Sequence, residues 1–325
     1  MNREALADQS PSGVLARGRA RGFWGALVVR LLRRKVAVAC LLVIVLLYGS
    51  GALAPLVAPY GYRQQDLHHT LAPPSLAHPL GTDRLGRDLF SRIIYGLRTT
   101  VIVTVASLLT GSLVLGVVAG LVAGYRGGWV DAVVMRVGEV FLAFPSILLV
   151  ILIAATAKPR VEGWVRSFED ASGIQGLVRL GLVDYLVVFG ALALFSWVGM
   201  ARLVRGQVLS LRTQEFVQAA RALGASTPRI LFLHLLPNAL PPIIVAVSMG
   251  MGSIVGAEVV LSWLGIGVQP PNPSLGNMIF ENGSVEVLRS NPHLLVAPVV
   301  VVALLIFAFN LLGDALNDAL NPRGR

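Results

Sequence analysis

Apolar residues in this chain run on without interruption for roughly the width of a bilayer instead of recurring at helical or strand spacing. A spanning helix needs about 20 predominantly apolar residues, because the hydrocarbon core is about 30 Å thick and a helix rises about 1.5 Å per residue. Six stretches qualify: 36–62, 99–125, 140–157, 185–201, 235–257 and 290–313. The first two hold no Asp, Glu, Lys or Arg. The first is read as a retained span, since a cleaved signal would have a shorter basic lead and a shorter apolar run.

Composition agrees. Of 325 residues, 55% are hydrophobic and 14% charged, against about 25% charged in a soluble domain, and the mean hydropathy is +0.73. That excludes an ordinary soluble enzyme. A formal charge of +10 would suggest nucleic acid on a soluble protein; here it reads as a topology signal. With the N-terminus inside, 17 of the 27 Lys and Arg residues fall in cytoplasmic segments, which places both termini in the cytoplasm. Arg17, Arg19, Arg21, Arg30, Arg33 and Arg34 are then an inner anchor on anionic lipid, with no nucleic-acid role. The chain divides into a basic segment (1–35), a first span (36–62), an extracytoplasmic loop with an amphipathic helix (63–98), a five-helix core (99–313) containing a cytoplasmic loop (206–238), and a cytoplasmic tail (314–325).

Candidate chemistry is sparse. The single cysteine, Cys40, lies in an apolar run, so an intramolecular disulfide and a thiolate metal site are both excluded. His68 and His69 adjoin, His78, His234 and His293 are scattered, and no metal or catalytic grouping emerges. A phosphate-cradling loop needs a glycine-rich run ending in Lys and Ser or Thr; the two lysines, Lys35 and Lys158, precede Val36 and Pro159. The chain cannot hydrolyse ATP by that device.

Several residues stand out within the spans and loops. Gly116, Gly120 and Gly124, and again Gly252 and Gly256, are spaced for close helix packing, with a pathway lining as the other reading. Glu258, beside Ser262, is the most expensive residue in a span and must face protein or water; it reads as a structural or gating hydrogen-bond site. Glu139 is placed at an interface. Thr82 and Asp83 are expected to start a helix on which Leu85, Leu89, Ile93 and Leu97 form an apolar face and Arg84, Asp88 and Arg92 a charged one. That helix would be a gate, a seat for a binding protein, or an interface anchor. Residues 161–181 suggest a short outer-surface helix in an inserted loop. Asp314 and Asp318, with Asn317 and Asn321, close the chain as either a partner contact or a solvated helix.

The most informative segment lies between the fourth and fifth spans. The spacing of Phe216, Val217, Ala219, Ala220 and Leu223 predicts a helix over 213–223, with Gly224 at its left-handed end. A second helix follows, with Thr227 as N-cap and Pro228 in its first turn; Pro237 is expected to stop it, and Pro241 with Pro242 to mark re-entry into the membrane. Such a pair fits either a groove in another protein or the chain's own bundle.

QAARALGASTPRILFLHLLPN resembles the coupling-loop motif of ABC importer permeases, matched here by Gln218, Ala219, Ala220, Gly224, Leu236 and Pro237. Gln218 stands where that family usually has glutamate, which removes a charge but keeps the shape. HPLGTDRLGRDLFSRIIYGLRTT, LSWLGIGVQPPNPSLGNMI and GDALNDALNPR are similar to the second permease of dipeptide and oligopeptide importers. The resemblance implies an all-α integral membrane fold of six transmembrane helices, the type I ABC importer permease fold, in a bacterial or archaeal plasma membrane. It implies a non-catalytic subunit forming half of a peptide pathway, with a second homologous permease, two ATPase subunits and an extracytoplasmic substrate-binding protein as partners. It implies docking of an ATPase on Phe216, Val217, Gln218, Ala219, Ala220, Leu223, Gly224 and Pro237, with ATP and Mg bound by the ATPases and no cofactor on this chain. The alternative is a secondary, ion-coupled transporter, for which one acid in the spans is thin support.

Overall fold

The computed structural model describes residues 19–320, with side chains from Leu27 onward. Arg17, Asn321 and the terminal arginines fall outside the described residues, as do the side chains of Arg19 and Arg21. Regular structure among the described residues is helical, apart from one antiparallel bridge between Thr82 and Asp88. In chain order the helices are α1 (Arg19–Leu32), α2 (Lys35–Ala52), α3 (Ala54–Val57), α4 (Leu89–Arg126), α5 (Gly128–Leu142), α6 (Ser146–Ser172), α7 (Leu182–Leu211), α8 (Glu215–Ala222), α9 (Thr227–Trp263), α10 (Leu275–Glu281), α11 (Val285–Ser290) and α12 (His293–Leu320). Five of them, α2, α4, α7, α9 and α12, are long and apolar enough to cross a membrane. The pair α5 and α6, bent by 90°, supplies a sixth if counted as one span.

Prolines and glycines account for most departures from the sequence-based expectations. The first span, α2, ends at Ala52, not near Tyr62, and the chain turns extended at Ala58 after the short α3. The stretch expected as one span over 140–157 is broken at 143–145, where Pro145 disfavours helical geometry for Phe144. Beyond that break α6 runs through Pro159 to Ser172, so the separate outer helix expected over 161–181 is an extension of this span. Gly173, at φ +73°, ends it.

The helix expected to start at Thr82 instead begins at Leu89. Residues 81–88 fold as a turn: the Asp83 carboxylate accepts the N–H groups of Leu85 (2.8 Å) and Arg87 (3.0 Å), and Asp88 caps α4 at the Ser91 N–H (2.7 Å). Arg84, Asp88 and Arg92 therefore do not form one helical row. Pro237 does not stop a helix, nor do Pro241 and Pro242 mark a re-entry: α9 runs continuously from Thr227 to Trp263. A π-helical segment, Ile230–Leu235, precedes Pro237, and such local adjustments let a membrane helix absorb prolines. Ser226, not Thr227, occupies the N-cap position, ahead of Pro228.

Close packing fixes the bundle. α9 and α12 lie antiparallel, with Gly256 near Ile306 and Gly313 near Met249. A Cβ added at Gly116, Gly120 or Gly124 would meet Met200, Ala201 or Val208 of α7 at 2.6–2.8 Å, so α4 and α7 touch nearly backbone to backbone. Gly252 faces Asn310 of α12 at 3.0 Å, whereas Gly256 has ordinary room, 3.7 Å to Ile306. Cys40 is buried beside Ala308 and Leu312. At the near end, which carries α1 and the last turn of α12, Arg34 pairs with Asp318 at 2.6 Å. Glu139 of α5 pairs on the surface with Arg136 at 2.9 Å.

Candidate functional site

Three features align along the bundle, beginning with α8 at the near end. The sequence grouped its residues as one docking set; the structure divides them. Val217 is fully buried, packed among Val208, Ile230 and Leu235, and Ala220 is nearly so. Phe216, Ala219 and Leu223 face outward, with Leu223 88% exposed. These three positions recur at i, i+3 and i+7 on one face. Gln218 turns back on the loop and donates to the Thr213 carbonyl at 3.0 Å. Arg221 lies over the Tyr125 ring, 4.9 Å from its centroid, and Arg212 donates to the Gly124 carbonyl at 3.0 Å. Gly224, at φ +76°, releases the chain in a left-handed turn. Pro237 lies exposed near the start of α9. Arg205 of α7 forms an ion pair with Asp131 of α5, so the base of the loop is tied to both neighbours.

The second feature is a cavity of about 590 Å³ between α4, the bent pair α5 and α6, α7 and α9. Among the described residues no charged side chain lines it; Ser112, Ser146, Ser196 and Ser253 bring the hydroxyls. α9 contributes one face, from Ala246 through Gly250 and Ile254 to Leu261. Sequence reasoning missed this cavity. The signal available was the row of small residues at helical spacing on α9, but helical spacing cannot show which partner leaves a gap.

The far end carries the third feature. Glu258 is fully buried and does not line the cavity. Its carboxylate accepts from Thr100 of α4 at 3.0 Å, from Ser262 at 3.0 Å and from Ser274 at 3.4 Å. The segment 264–274, between α9 and α10, thus folds back over the end of the bundle. Thr99 donates to the Pro273 carbonyl at 2.8 Å, Asn272 to that of Leu180 at 3.0 Å and Asn277 to that of Val268 at 2.6 Å. Val268 is fully buried in the cluster that holds Val150, Leu192, Ile254 and Leu261, four residues of the cavity wall. This segment therefore packs behind the far-end wall of the cavity.

An ion network locks the same region. Buried Asp83 pairs with Arg87 at 2.6 Å and with Arg92, and Arg92 reaches Glu281 of α10 at 3.1 Å. The sequence placed Arg92 on a charged helix face, read as a gate, a seat for a binding protein or an interface anchor; it is buried because α10 folds against α4. Nearby, the His69 ring holds the exposed Asp66 carboxyl below its usual range, with help from the His68 N–H. Among the described residues no three His, Cys, Asp or Glu side chains converge to hold a metal ion.

The sequence has relatives that bear on this geometry. Residues 116–325 match the binding-protein-dependent transport system inner membrane component, and 22–74 match the N-terminal TM domain of oligopeptide transport permease C. The dipeptide transport system permease DppC of Alkalihalophilus pseudofirmus is 36% identical over 92% of this chain and 90% of its own length. The glutathione transport system permease GsiD of Pectobacterium atrosepticum is 38% identical over 93% of this chain and 91% of its own. The oligopeptide transport system permease OppC of Bacillus subtilis is 35% identical over 93% and 90%.

Proposed function

Because this chain belongs to the inner-membrane components of binding-protein-dependent transport systems, in their dipeptide and oligopeptide branch, we propose that it forms half of the membrane pathway of an ATP-driven peptide importer. The observation that carries this reading is the divided face of α8, with Val217 and Ala220 anchored inward and Phe216, Ala219 and Leu223 offered outward. An outward apolar face on a short, fixed helix is suited to a groove in a partner. The partner proposed here is an ATPase, since the sequence lacks a phosphate-binding loop of its own. Two such ATPases, a second homologous permease and an extracytoplasmic binding protein complete the machine, and ATP with Mg resides on the ATPases. Family membership leaves the ion-coupled alternative without support.

Force at α8 has a short route inward. Buried Val217 pushes on α7 and α9 through Val208 and Ile230, and Arg212 pulls on α4. Those three helices wall the cavity. Their rigid-body tilt would exchange access from one side of the membrane to the other. At the far end, Glu258 and Ser262 hold the 264–274 segment in place behind the cavity wall; in this reading the segment is the stopper, and Glu258 and Ser262 are gate residues that do not touch cargo. The excess of basic residues in the segments read from the sequence as internal supports a placement of α8 and both termini in the cytoplasm of a bacterial or archaeal cell.

Peptide is the cargo of this reading, which relatives named for dipeptide, oligopeptide and glutathione transport support. The test is reconstitution of this chain with its second permease, ATPases and binding protein in liposomes. ATP-dependent accumulation of labelled peptide is expected; accumulation driven by an ion gradient in the absence of the ATPases would overturn the reading.

A further inference from the structure

Glycines on the helices around the cavity are of two kinds. At Gly111, Gly116, Gly120 and Gly124 an added Cβ would sit 2.1–2.8 Å from α7, so glycine is there for close packing. Gly199 of α7 and Gly250 of α9 differ. A Cβ at either meets nothing within 4 Å, and neither has a left-handed backbone. Glycine is a poor helix former, and within this chain neither packing nor conformation calls for it at these two positions. Both residues line the 590 Å³ cavity, so a side chain added there would enter its open volume.

The surrounding wall is stiff and uncharged. Phe195 packs edge-on against Phe141 (5.7 Å between centroids), and Phe141 edge-on against Trp197 (6.3 Å), so the wall on that side cannot easily yield. Ser112 and Ser196 already donate to backbone carbonyls, whereas Ser146 and Ser253 stand exposed. Exposed hydroxyls can both donate and accept, which matches the amide groups that every peptide carries. A wall without charge has nothing with which to select for charged side chains.

We propose that Gly199 and Gly250 set the bore of the cargo path in this chain, so that it discriminates peptides by size and is indifferent to their charge. The proposal rests on the peptide-import reading above. Each glycine leaves free the space that a side chain would fill, and a cargo of larger cross-section uses that space first.

The experiment measures uptake by the reconstituted complete importer of labelled dialanine, pentaalanine and two pentapeptides of equal size bearing a lysine or a glutamate. Binding-protein-stimulated ATP hydrolysis is recorded alongside. With Gly250→Leu or Gly199→Leu, pentapeptide uptake is expected to fall roughly tenfold or more, on the scale by which a pocket rejects excess bulk, with dialanine uptake and ATP hydrolysis close to wild type. The lysine and glutamate peptides should fall together. Gly250→Ala should give a smaller loss in the same order, and Gly190→Leu, which also meets no atom within 4 Å but lies outside the cavity lining, should give none. Equal uptake of all sizes by both leucine variants would overturn the proposal. Loss of the second permease on purification of those variants would also overturn it, by making the glycines an interface between permeases. A wild-type complex that imports no peptide at all would instead contradict the peptide reading, and this inference with it.

Discussion

Arg212 reaches back across the loop entrance to Gly124, and its Nη1 donates to the glycine carbonyl at 3.0 Å. The bond joins the residues that lead into α8 to the last turn of α4, whose glycine ridge is pressed against α7. A hydrogen bond from a charged donor contributes about 1.5–3 kcal/mol when sheltered and less where half-exposed, as here. Arg212→Ala should therefore leave the chain folded and the ATPases attached but loosen transmission. Peptide imported per ATP hydrolysed is expected to fall severalfold; an unchanged ratio would contradict the role given to this tie.

Gly120 of the first glycine ridge and Gly256 of the second should respond differently. Gly120→Val puts a branched side chain where even a Cβ comes within 2.6 Å of the Ala201 carbonyl. Overpacking of this kind costs about 1–3 kcal/mol or more, so the variant should accumulate poorly in the membrane and unfold at lower temperature in detergent. Gly256→Ala meets only Ile306 at 3.7 Å and should be neutral. Thermal unfolding of the purified chain separates the two, and similar behaviour would contradict the packing role.

Glu258 gives a third comparison. Three hydroxyls, from Thr100, Ser262 and Ser274, donate to its carboxylate. Glu258→Leu strands these donors in a buried site, at about 1–3 kcal/mol for each that finds no other acceptor. Glu258→Gln keeps an acceptor oxygen and should lose far less. Protease nicking of the 264–274 segment should rise sharply in the leucine variant and little in the glutamine variant; equal protection in both would remove Glu258 from its place in holding the stopper.

Arg92 offers a further check at the same end. Its guanidinium is buried between Asp83 and Glu281, and Arg87 is a second partner for both acids. Breaking a buried pair costs about 3–5 kcal/mol, and Arg87 should hold the loss of Arg92→Ala near the lower figure. Arg92→Ala with Arg87→Ala should exceed the sum of the single losses, measured by thermal unfolding. Simple additivity would show that the two arginines act independently.

What the sequence made legible followed physical rules that act locally. Uninterrupted apolar length marks the spans, and Gly224 after Leu223 marks the end of α8. Motif resemblance pointed to the permease family that the relatives then showed. The rest depends on which surfaces meet. Arg92 looked like a surface charge because nothing in its own helix announces that α10 will cover it. Pro145 and Pro159 carry the same local signal, yet one sits at a 90° bend and the other inside a helix. Pro237, Pro241 and Pro242 looked like boundaries, and the π-helical segment before them with neighbouring helices around them kept α9 continuous. The cavity is not written in any one segment. It is the space left where five helices fail to touch.

Transmission through the outward face of α8 is tested most directly by purifying the tagged chain with its partners from native membranes, as wild type and as Leu223→Arg. Leu223 is 88% exposed, so the substitution should not disturb the fold; Leu76→Arg, fully exposed in the 58–88 loop at the far end, controls for the added charge. The expected result is that Leu223→Arg retains the second permease and loses the ATPases, while Leu76→Arg retains both. Recovery of the ATPases with Leu223→Arg at the wild-type level would contradict coupling through α8.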